Sequence, residues 1–454
     1  MSLNYQWKHL KINQKSIKEF TEKLMLEWKP KYIAFDTETT GLHLTGDKPF
    51  YLSLAFIGEN SEAIAAGLFI DSIEKEDIDH LMKIIFLQSN NGFLIGHNVA
   101  FDLNMVHNIG YPCPHRNVLD TMVLIRLTTD AIQEKHGGAP LSLKRFASQY
   151  IDRNAKAYEK QISQERTKLA KQFNAELYRL VDKVEFNFAT QFPNDIDDLP
   201  PRLKEGYNTW LDSLPEEVKQ NMTSPIILSK EISYSLVDKG VLETYGIYDA
   251  VYTYEIFDRT YPLIEKRKQQ KIFDIEQKLA YPLYRISREG FTMNKEYVFE
   301  TQEKMKQYII SRKKRFEKLA GKDITVSQAK ELLSILKNKF NLSVTSTNEP
   351  TLLEAQKKLE KGHPAIEFID LIFELRTLSK WYSTYLRKFV MIAKHYDKIH
   401  TQINSAGAVT GRFTSDFQQF PRDGIVDKDG NLLFHPRHMV KRPDNDHYLL
   451  FIDY

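Results

Sequence analysis

Acidic residues recur where predicted strands end, and acids in such places can bind metal ions. In FDTETTGL, residues 35–42, Asp36 and Glu38 alternate along a predicted strand, so both side chains project from the same face. GHNVAFDL, residues 96–103, has Asp102 just after a short apolar run, where a helix is predicted to begin. Converging carboxylates are ligands that hard divalent cations such as Mg²⁺ use in proteins. The spacing therefore predicts a divalent metal site.

A tyrosine and a fourth acid lie four residues apart farther along the chain. Tyr245 and Asp249 share one face of a predicted helix. Tyr254 and Asp258 repeat the same spacing nine residues later. At about 100° per residue the two pairs point to opposite faces of the helix, so only one pair can serve a site. The spacing alone leaves the choice between them open.

The chemistry that these residues predict is two-metal hydrolysis of a phosphodiester, with Mg²⁺ or Mn²⁺ as the two ions. Two cations about 4 Å apart can stabilise the attacking and leaving oxygens of an in-line displacement. We expect Asp36 to bridge both ions, and Glu38 and Asp249 to complete one coordination sphere. Asp102 is expected to act mainly through the water shell of the second ion. The Tyr245 hydroxyl is expected to orient the attacking water.

The elements that must position these residues follow an α/β order up to about residue 150. An amphipathic helix is predicted over 14–28, where apolar side chains recur at helical spacing. Further patterns predict strands at 32–35, 51–57, 63–70 and 93–95, and helical segments from 102, 118 and 141. Strands interleaved with helices indicate an α/β sandwich.

The rest of the chain does not follow this α/β order. Residues 152–235 have helical periodicity in a highly charged background, which predicts an acidic, exposed helical insertion without a recognisable motif. Residues 241–395 predict mainly long amphipathic helices, and residues 396–454 return to strand and turn character.

Charge is divided unevenly along the chain of 454 residues. The net charge of +3 is the balance of −2 over residues 1–150, −4 over 151–250 and +9 over 251–454. A basic second half indicates a polyanionic partner, although a lysine-rich solvated helical surface explains the charge equally well. The single cysteine, Cys113, excludes an internal disulfide framework and favours a reducing compartment. Neither a secretory signal nor a membrane-spanning run is evident in the sequence, so we expect no membrane association.

Five motifs of the first half resemble, in order, the proofreading 3′–5′ exonuclease domain of family A DNA polymerases. They are FDTETTGL, GHNxxFD, LDTM at 119–122, LSLKRFASQY at 141–150 and YxxxDA at 245–250. The resemblance implies a ribonuclease-H-like fold and selects Tyr245 and Asp249 over the second tyrosine–acid pair. It also implies that Leu42 and Asn98 contact the 3′-terminal nucleotide.

The second half resembles the polymerase module of the same family. ISREGFTMN at 286–294, Arg376 with KWYSTYL at 380–386, and TGRFTS at 410–415 carry the resemblance. It implies an exonuclease domain over 1–265, a mainly α-helical thumb over 266–395 and the start of an α+β palm over 396–454. The residues implied to bind DNA here are Lys380, Ser383, Thr384 and Tyr385, on backbone phosphates, and Thr410 and Arg412, near the primer end.

The chain ends in FIDY, where Asp453 resembles the first metal ligand of the polymerase palm. We expect polymerisation only when a second polypeptide supplies the remaining palm and the fingers, since nucleotidyl transfer needs ligands from both palm motifs. A bacteriophage enzyme acting in the cytoplasm of a bacterial host is expected. Two alternatives stay open: a stand-alone 3′–5′ exonuclease with a helical nucleic-acid-binding extension, and a non-enzymatic DNA-binding subunit.

Overall fold

The protein is described by a computed structural model. It covers residues 3–129, 140–181, 201–222 and 226–405, together with 407–408, 412–415, 417, 420–448 and 450. Within these residues, no helix combines the length and the apolar character needed to cross a membrane.

A mixed six-stranded sheet organises the first half of the chain. Its strands are β1 (Lys8–Ile12), β2 (Tyr32–Thr39), β3 (Pro49–Ile57), β4 (Ala63–Phe69), β5 (Phe93–Gly96) and β6 (Val118–Asp120). They lie in the order β1-β4-β3-β2-β5-β6. The hairpins place β3 antiparallel to β2 and β4, whereas β5 runs parallel to β2 and β6, and β1 runs parallel to β4. The carboxyl ends of β2, β5 and β6 therefore meet at one edge, where motif residues follow each strand.

Helices cover both faces of this sheet. They are α1 (Ile17–Lys23, continued as a π-helix over Leu24–Trp28), α2 (Lys75–Ser89), α3 (Val99–Asn108), α4 (Thr121–Thr128) and α5 (Leu143–Tyr150). Each face of the sheet has its own apolar core, and alternate side chains of β2 enter one core or the other. Ile33 and Phe35 pack beneath α1, α2 and α3, whereas Ala34 faces the opposite helical layer. This alternation follows from the two-residue period of a strand.

The predicted strands and the helix over 14–28 are confirmed, whereas one local prediction is wrong and one strand was missed. Residues 118–120 form β6 rather than the start of a helix, because they pair with β5 and the helix α4 begins only at Thr121. The first strand, β1, was not predicted, since its sequence KHLKI has no continuous apolar pattern and its position depends on pairing with β4.

The insertion over 152–235 contains α6 (Ala155–Leu180), α7 (Pro201–Ser213) and α8 (Glu216–Asn221). Its helical content is as predicted, but its exposure is not. Trp210 and Leu177 are fully buried in a separate apolar cluster, and the Trp210 indole donates to the carbonyl of Phe173 at 2.8 Å. The charged residues dominate the sequence pattern, while a narrow apolar stripe on each helix closes a small core.

Two long helices, α9 (Lys239–Lys266) and α10 (Gln270–Glu289), pack against the sheet region. The carboxylate of Glu276 on α10 forms an ion pair with Arg126 at 2.5 Å, and the Gln277 amide donates to the carbonyl of Val118 at 3.1 Å. Ala280 and Tyr284 enter the core shared with α1, α2 and α3. Thus α10 lies against the exonuclease-like half of the molecule.

The second half has its own core, built mainly by helices. These are α11 (Lys295–Ala320), α12 (Ala329–Phe340), α13 (Glu349–Lys357), α14 (Pro364–Lys380, continued as a π-helix over Trp381–Leu386) and α15 (Arg387–His395). Four short strands complete it: β7 (Phe291–Thr292) pairs with β8 (Lys398–Ile399), and β9 (Ile425–Val426) pairs with β10 (Leu432–Phe434). Buried side chains from Met293 to Met439 form one cluster. The chain is mostly helical, with one mixed sheet in the first half.

Candidate active site

Three acids predicted from two motifs converge at the end of β2. Carboxylate oxygens of Asp36, Glu38 and Asp249 all lie within 4.8 Å of one another. Asp36 and Glu38 alternate on β2, while Asp249 comes from α9, which packs across β2 and β3. Among the described residues, these three form the group whose geometry could hold a metal ion.

The close approach of α9 to the sheet depends on small residues at the contact. The Ser53 hydroxyl on β3 donates to the carbonyl of Gly246 at 2.8 Å. A Cβ at Gly246 would lie 2.8 Å from the Tyr51 ring, so a larger residue would push the helix away from the strand. The glycine after Tyr245 thus lets Asp249, farther along the same helix, reach the two acids on β2.

Asp102 lies beside this trio rather than in it. It occupies the first turn of α3, and its Oδ1 accepts hydrogen bonds from the backbone N–H of Thr37 at 3.0 Å and from the Thr37 hydroxyl at 2.6 Å. These bonds point one carboxylate oxygen toward β2 between the positions of Asp36 and Glu38. A more distant contact with a second ion stays a prediction for this residue.

Burial strongly perturbs the acids. It raises the pKa of Asp36 to about 7, against the opposing charge of Lys144. The pKa of Glu38 is raised well above its usual range by burial and then by the neighbouring charge of Asp36. Burial and Asp36 raise the pKa of Asp102 in the same way. Acids that are crowded and desolvated in this way are stabilised as carboxylates by a bound cation, so the donor set fits a divalent metal ion.

Lys144 is the site residue that the sequence reasoning missed. Its ammonium forms an ion pair with Asp249 and lies 4.0 Å from the centre of the Tyr245 ring, with only 5% of the side chain exposed. Burial lowers its pKa to about 8, opposed by the charges of Asp36 and Glu38. Lys144 lies between Leu143 and Arg145 in the motif LSLKRFASQY, at the start of α5, and this local pattern gives no sign that the lysine is buried.

The two tyrosine–acid pairs on α9 have different surroundings. The half-buried Tyr245 packs edge-on against Tyr234 at a ring distance of 5.9 Å. Tyr254 instead packs on Trp7 in the apolar core, and Asp258 accepts a hydrogen bond from the side chain of Asn4. The second pair therefore lies away from the carboxylate trio.

Tyr234 belongs to the helical insertion, so the insertion forms part of the site wall. The guanidinium of Arg166 on α6 lies 4.7 Å from the centre of the Tyr234 ring and donates to the carbonyls of Ile232 and Lys230. Burial raises the pKa of Tyr245, and the charge of Glu38 raises it further. The Tyr245 hydroxyl is therefore neutral and can donate a hydrogen bond.

The two residues implied to contact the 3′ nucleotide flank this site. Leu42 is 81% exposed in the loop after β2, which is unusual for a leucine and leaves its side chain available to a ligand. Asn98 caps α3 in the left-handed conformation, with φ of 68°, and its backbone N–H donates to Asp120 at 3.0 Å. Its side-chain oxygen accepts a hydrogen bond from Gln402 at 2.6 Å.

Asp47 fixes the loop that carries Leu42. It accepts hydrogen bonds from the Thr40 hydroxyl at 2.8 Å and from the backbone N–H of His43 at 2.6 Å. Asn221 of the insertion donates to the carbonyl of Thr40 at 3.0 Å. The exposed leucine is thus presented by a loop with internal support.

The implied DNA-binding residues of the second half are mostly on the surface. Lys380, Ser383, Thr384 and Arg412 are exposed, whereas the Tyr385 ring packs on Trp381 at 5.6 Å. Thr410 and Asp453 lie outside the described residues. The roles of all these residues stay predictions.

A mixed sheet with three converging carboxylates, joined to a helical second module, is the arrangement expected of an exonuclease domain fused to a polymerase domain. Comparison with protein families gives the same division. Residues 13–176 match the 3′-5′ exonuclease family, and residues 295–454 match the family "DNA polymerase family A". The chain therefore belongs to DNA polymerase family A and carries its exonuclease domain, as the sequence motifs predicted.

Individual relatives are distant. DNA polymerase I of Pseudomonas aeruginosa is 22% identical over 390 residues, which is 84% of this chain and 35% of that protein. DNA polymerase DpoZ of Vibrio phage phiVC8 is 22% identical over 397 residues, covering 84% of this chain and 53% of the phage protein. The chain thus spans about a third of the length of the Pseudomonas relative and about half that of the phage relative.

A solved structure has a similar fold. The POL domain of Pol1 from M. smegmatis, in complex with DNA primer-template and dNTP, aligns with a TM-score of 0.54 at 12% identity. The alignment covers 93% of this chain and 57% of that one. At this identity the likeness concerns the fold alone.

Proposed function

We propose that this chain removes nucleotides from the 3′ end of single-stranded DNA and that it forms the N-terminal portion of a family A DNA polymerase. The observation that carries the proposal is the convergence of Asp36, Glu38 and Asp249 within 4.8 Å at the end of β2. We also assign the first half a ribonuclease-H-like fold, and the second half a thumb and the start of a palm. The order of the sheet and the helical second core support these assignments.

Asp36, Glu38 and Asp249 would hold Mg²⁺ or Mn²⁺, with Asp102 contributing through water. Two such ions supply Lewis-acid stabilisation of the attacking and leaving oxygens. The buried oxygen donors suit hard cations, because burial, the main cause of the raised pKa values of Asp36 and Glu38, makes their ionised forms costly unless a cation lies beside them.

The remaining side chains bind and orient the substrate and the attacking water. The neutral Tyr245 hydroxyl orients the water, and the Lys144 ammonium beside it supplies a fixed positive charge in a desolvated setting. Leu42 packs against the terminal base, and the Asn98 side chain binds the terminal nucleotide once it exchanges its hydrogen bond with Gln402.

The second half would bind primer–template DNA. Lys380, at the end of α14, and Ser383 and Thr384, in the π-helical segment that follows, are exposed and can reach backbone phosphates. Arg412 is exposed near the implied primer end. The match of residues 295–454 to DNA polymerase family A supports this role. Completion by a second polypeptide and action in a bacterial cytoplasm stay predictions.

The decisive experiment is digestion of a 5′-labelled single-stranded oligonucleotide by the purified chain. We expect shortening from the 3′ end that requires Mg²⁺ or Mn²⁺ and is abolished by Asp36→Ala with Glu38→Ala. Asp258→Ala is the matched control, since it removes an acid of the unused pair on α9 and should leave digestion intact. A folded wild-type chain that leaves the oligonucleotide intact, or a double variant that still digests it, would refute the assignment.

The runner-up function, a stand-alone exonuclease with a nucleic-acid-binding extension, is less well supported because residues 295–454 match the polymerase family. Primer–template affinity that falls steeply with salt is expected for the basic second half, since bound phosphates release counterions. A nearly flat salt dependence would count against a DNA surface there.

A further inference from the structure

A cationic cavity of about 590 Å³ lies where the first half meets the second. Its walls come from the loop after β2, the end of α3, the end of α10 and the segment around β8. The side chains that matter for its chemistry are those of Arg285, Arg288, Lys398, His107, His400 and Tyr396. Clefts between domains are common ligand sites.

The carboxylates that line the cavity are already paired. Glu289 forms an ion pair with Lys398 at 2.6 Å, and Asp397 pairs with Lys295 at 2.6 Å. In the part of the chain that the structure describes, Arg285 and Arg288 have no carboxylate partner. Arg288 donates to the neutral side chain of Asn108 at 2.7 Å, and Arg285 is exposed. Two guanidinium charges therefore remain uncompensated in the cavity.

Burial and the positive charge of the cavity together lower the pKa values of its two histidines, His107 and His400. Burial lowers the pKa of His107, and Arg288 and Arg285 lower it further. Burial is also the main cause that lowers the pKa of His400, with Lys398 and Arg288 contributing. Both rings are therefore neutral at neutral pH and can offer hydrogen bonds to a ligand, while the arginines supply the charge.

The cavity is connected to the loop that presents Leu42. The Asn108 amide, which holds Arg288, also donates to the carbonyls of Leu44 and Asp47 at 3.0 and 2.6 Å. His43 of the same loop stacks on Tyr396 with a ring distance of 3.6 Å. The loop that presents Leu42 thus also forms one wall of the cavity.

We infer that this cavity binds a backbone phosphate of single-stranded DNA just upstream of the nucleotide in the exonuclease site. Planar guanidinium groups bind phosphate oxygens through paired N–H donors. Arg285 and Arg288 are three residues apart in the last turn and a half of α10, so both lie on one side of the helix. The inference rests on the proposed exonuclease function, because that function supplies the strand. Its ligand is a phosphodiester of that strand rather than a free anion.

The test measures binding of a fluorescent oligothymidylate to the full chain by anisotropy, in the Asp36→Ala/Glu38→Ala background so that the probe stays intact. Arg285→Ala combined with Arg288→Gln should weaken binding about tenfold and reduce the slope of log affinity against log salt by about 1. Lys266→Ala with Arg267→Ala is the matched control, since it removes two positive charges outside the cavity and should change affinity less than twofold.

Arg285→Ala alone guards against a folding artefact, because this exposed side chain supports no described contact and should still weaken binding severalfold. Equal affinities of the cavity and control variants would overturn the inference. A second outcome would also overturn it: inorganic phosphate binds only when both arginines are present, while the oligonucleotide affinity is the same in wild type and cavity variants. That outcome would assign the cavity to a free anion.

Digestion distinguishes this failure from a failure of the proposed function. With the acids intact, cavity variants should digest a dinucleotide at the wild-type rate and a longer oligonucleotide more slowly, because a dinucleotide is too short to reach the cavity. A wild-type chain that digests neither substrate refutes the exonuclease, whereas equal slowing on both substrates refutes the cavity as an upstream phosphate site.

Discussion

Lys144→Met should separate the electrostatic role of this lysine from its packing role. Methionine keeps an unbranched apolar stem but removes the ammonium that pairs with Asp249. Both side chains of the pair are nearly inaccessible, at 5% and 7% exposure, so solvent cannot replace the lost charge. Removal of one partner from a buried pair costs about 3–5 kcal/mol in well-studied cases.

The cost should depend on whether divalent ions are present. In EDTA, the variant leaves three crowded carboxylates without their nearest cation. We expect a loss of about 3 kcal/mol in unfolding free energy at pH ~7, below the Lys144 pKa of about 8, after partial relief by proton uptake. That loss corresponds to a fall in Tm of roughly 6–12 °C for a folding unit of about 150–250 residues. In excess Mg²⁺ the ions provide the missing charge, so the fall should shrink to a few degrees.

Thermal unfolding of wild type and variant, each in EDTA and in millimolar Mg²⁺, gives the four values needed. Lys160→Met, at an exposed lysine of α6, is the control and should shift Tm by no more than about a degree in either buffer. An equal fall in Tm with and without Mg²⁺ would show that Lys144 acts through packing alone. An unchanged Tm in EDTA would refute the ion pair itself.

Two further outcomes follow from the same structure. Because burial raises the pKa of Asp36 to about 7, its protonated form contributes stability that is present below about pH 4 and lost as pH rises through about 7. Over that window the Tm in EDTA should fall and the stabilisation by Mg²⁺ should grow. Asp36→Asn should flatten both trends. Identical profiles of Asp36→Asn and wild type would contradict this. Arg376→Ala removes hydrogen bonds to the carbonyls of Val326 and Thr347, so we expect it to destabilise the second half by about 2–3 kcal/mol in a urea titration. The control Lys361→Ala, at an exposed turn, should have no effect. A similar urea midpoint for both variants would contradict the prediction.

Local periodicity was enough to predict the strands that carry the acids. Asp36 and Glu38 share a face because a strand alternates, and that property depends only on neighbouring residues. The same reasoning failed at 118–120, where three residues are too few to distinguish a strand from the first turn of a helix. It also failed for the insertion, since Trp210 is buried by residues that are far from it in sequence.

Lys144 shows why part of the site escaped prediction. A lysine followed by an arginine is typical of an amphipathic helix surface, and nothing in its local pattern indicates burial. Its side chain reaches Asp249 only because α5 and α9 pack together. The contact of Tyr234 with Tyr245 has the same origin, since it joins the insertion to α9.

The sequence by itself determined the motif order, the family and the alternating acids of β2, because each of these depends on residue types at short spacing. Only the tertiary structure decided which side chains surround those acids. It brings Asp249 beside Asp36, buries Lys144 among the carboxylates, and forms a cationic cavity next to the loop of Leu42. The physical reason is that burial and charge pairing arise from packing between distant segments, and packing sets both the pKa values and the access of a ligand.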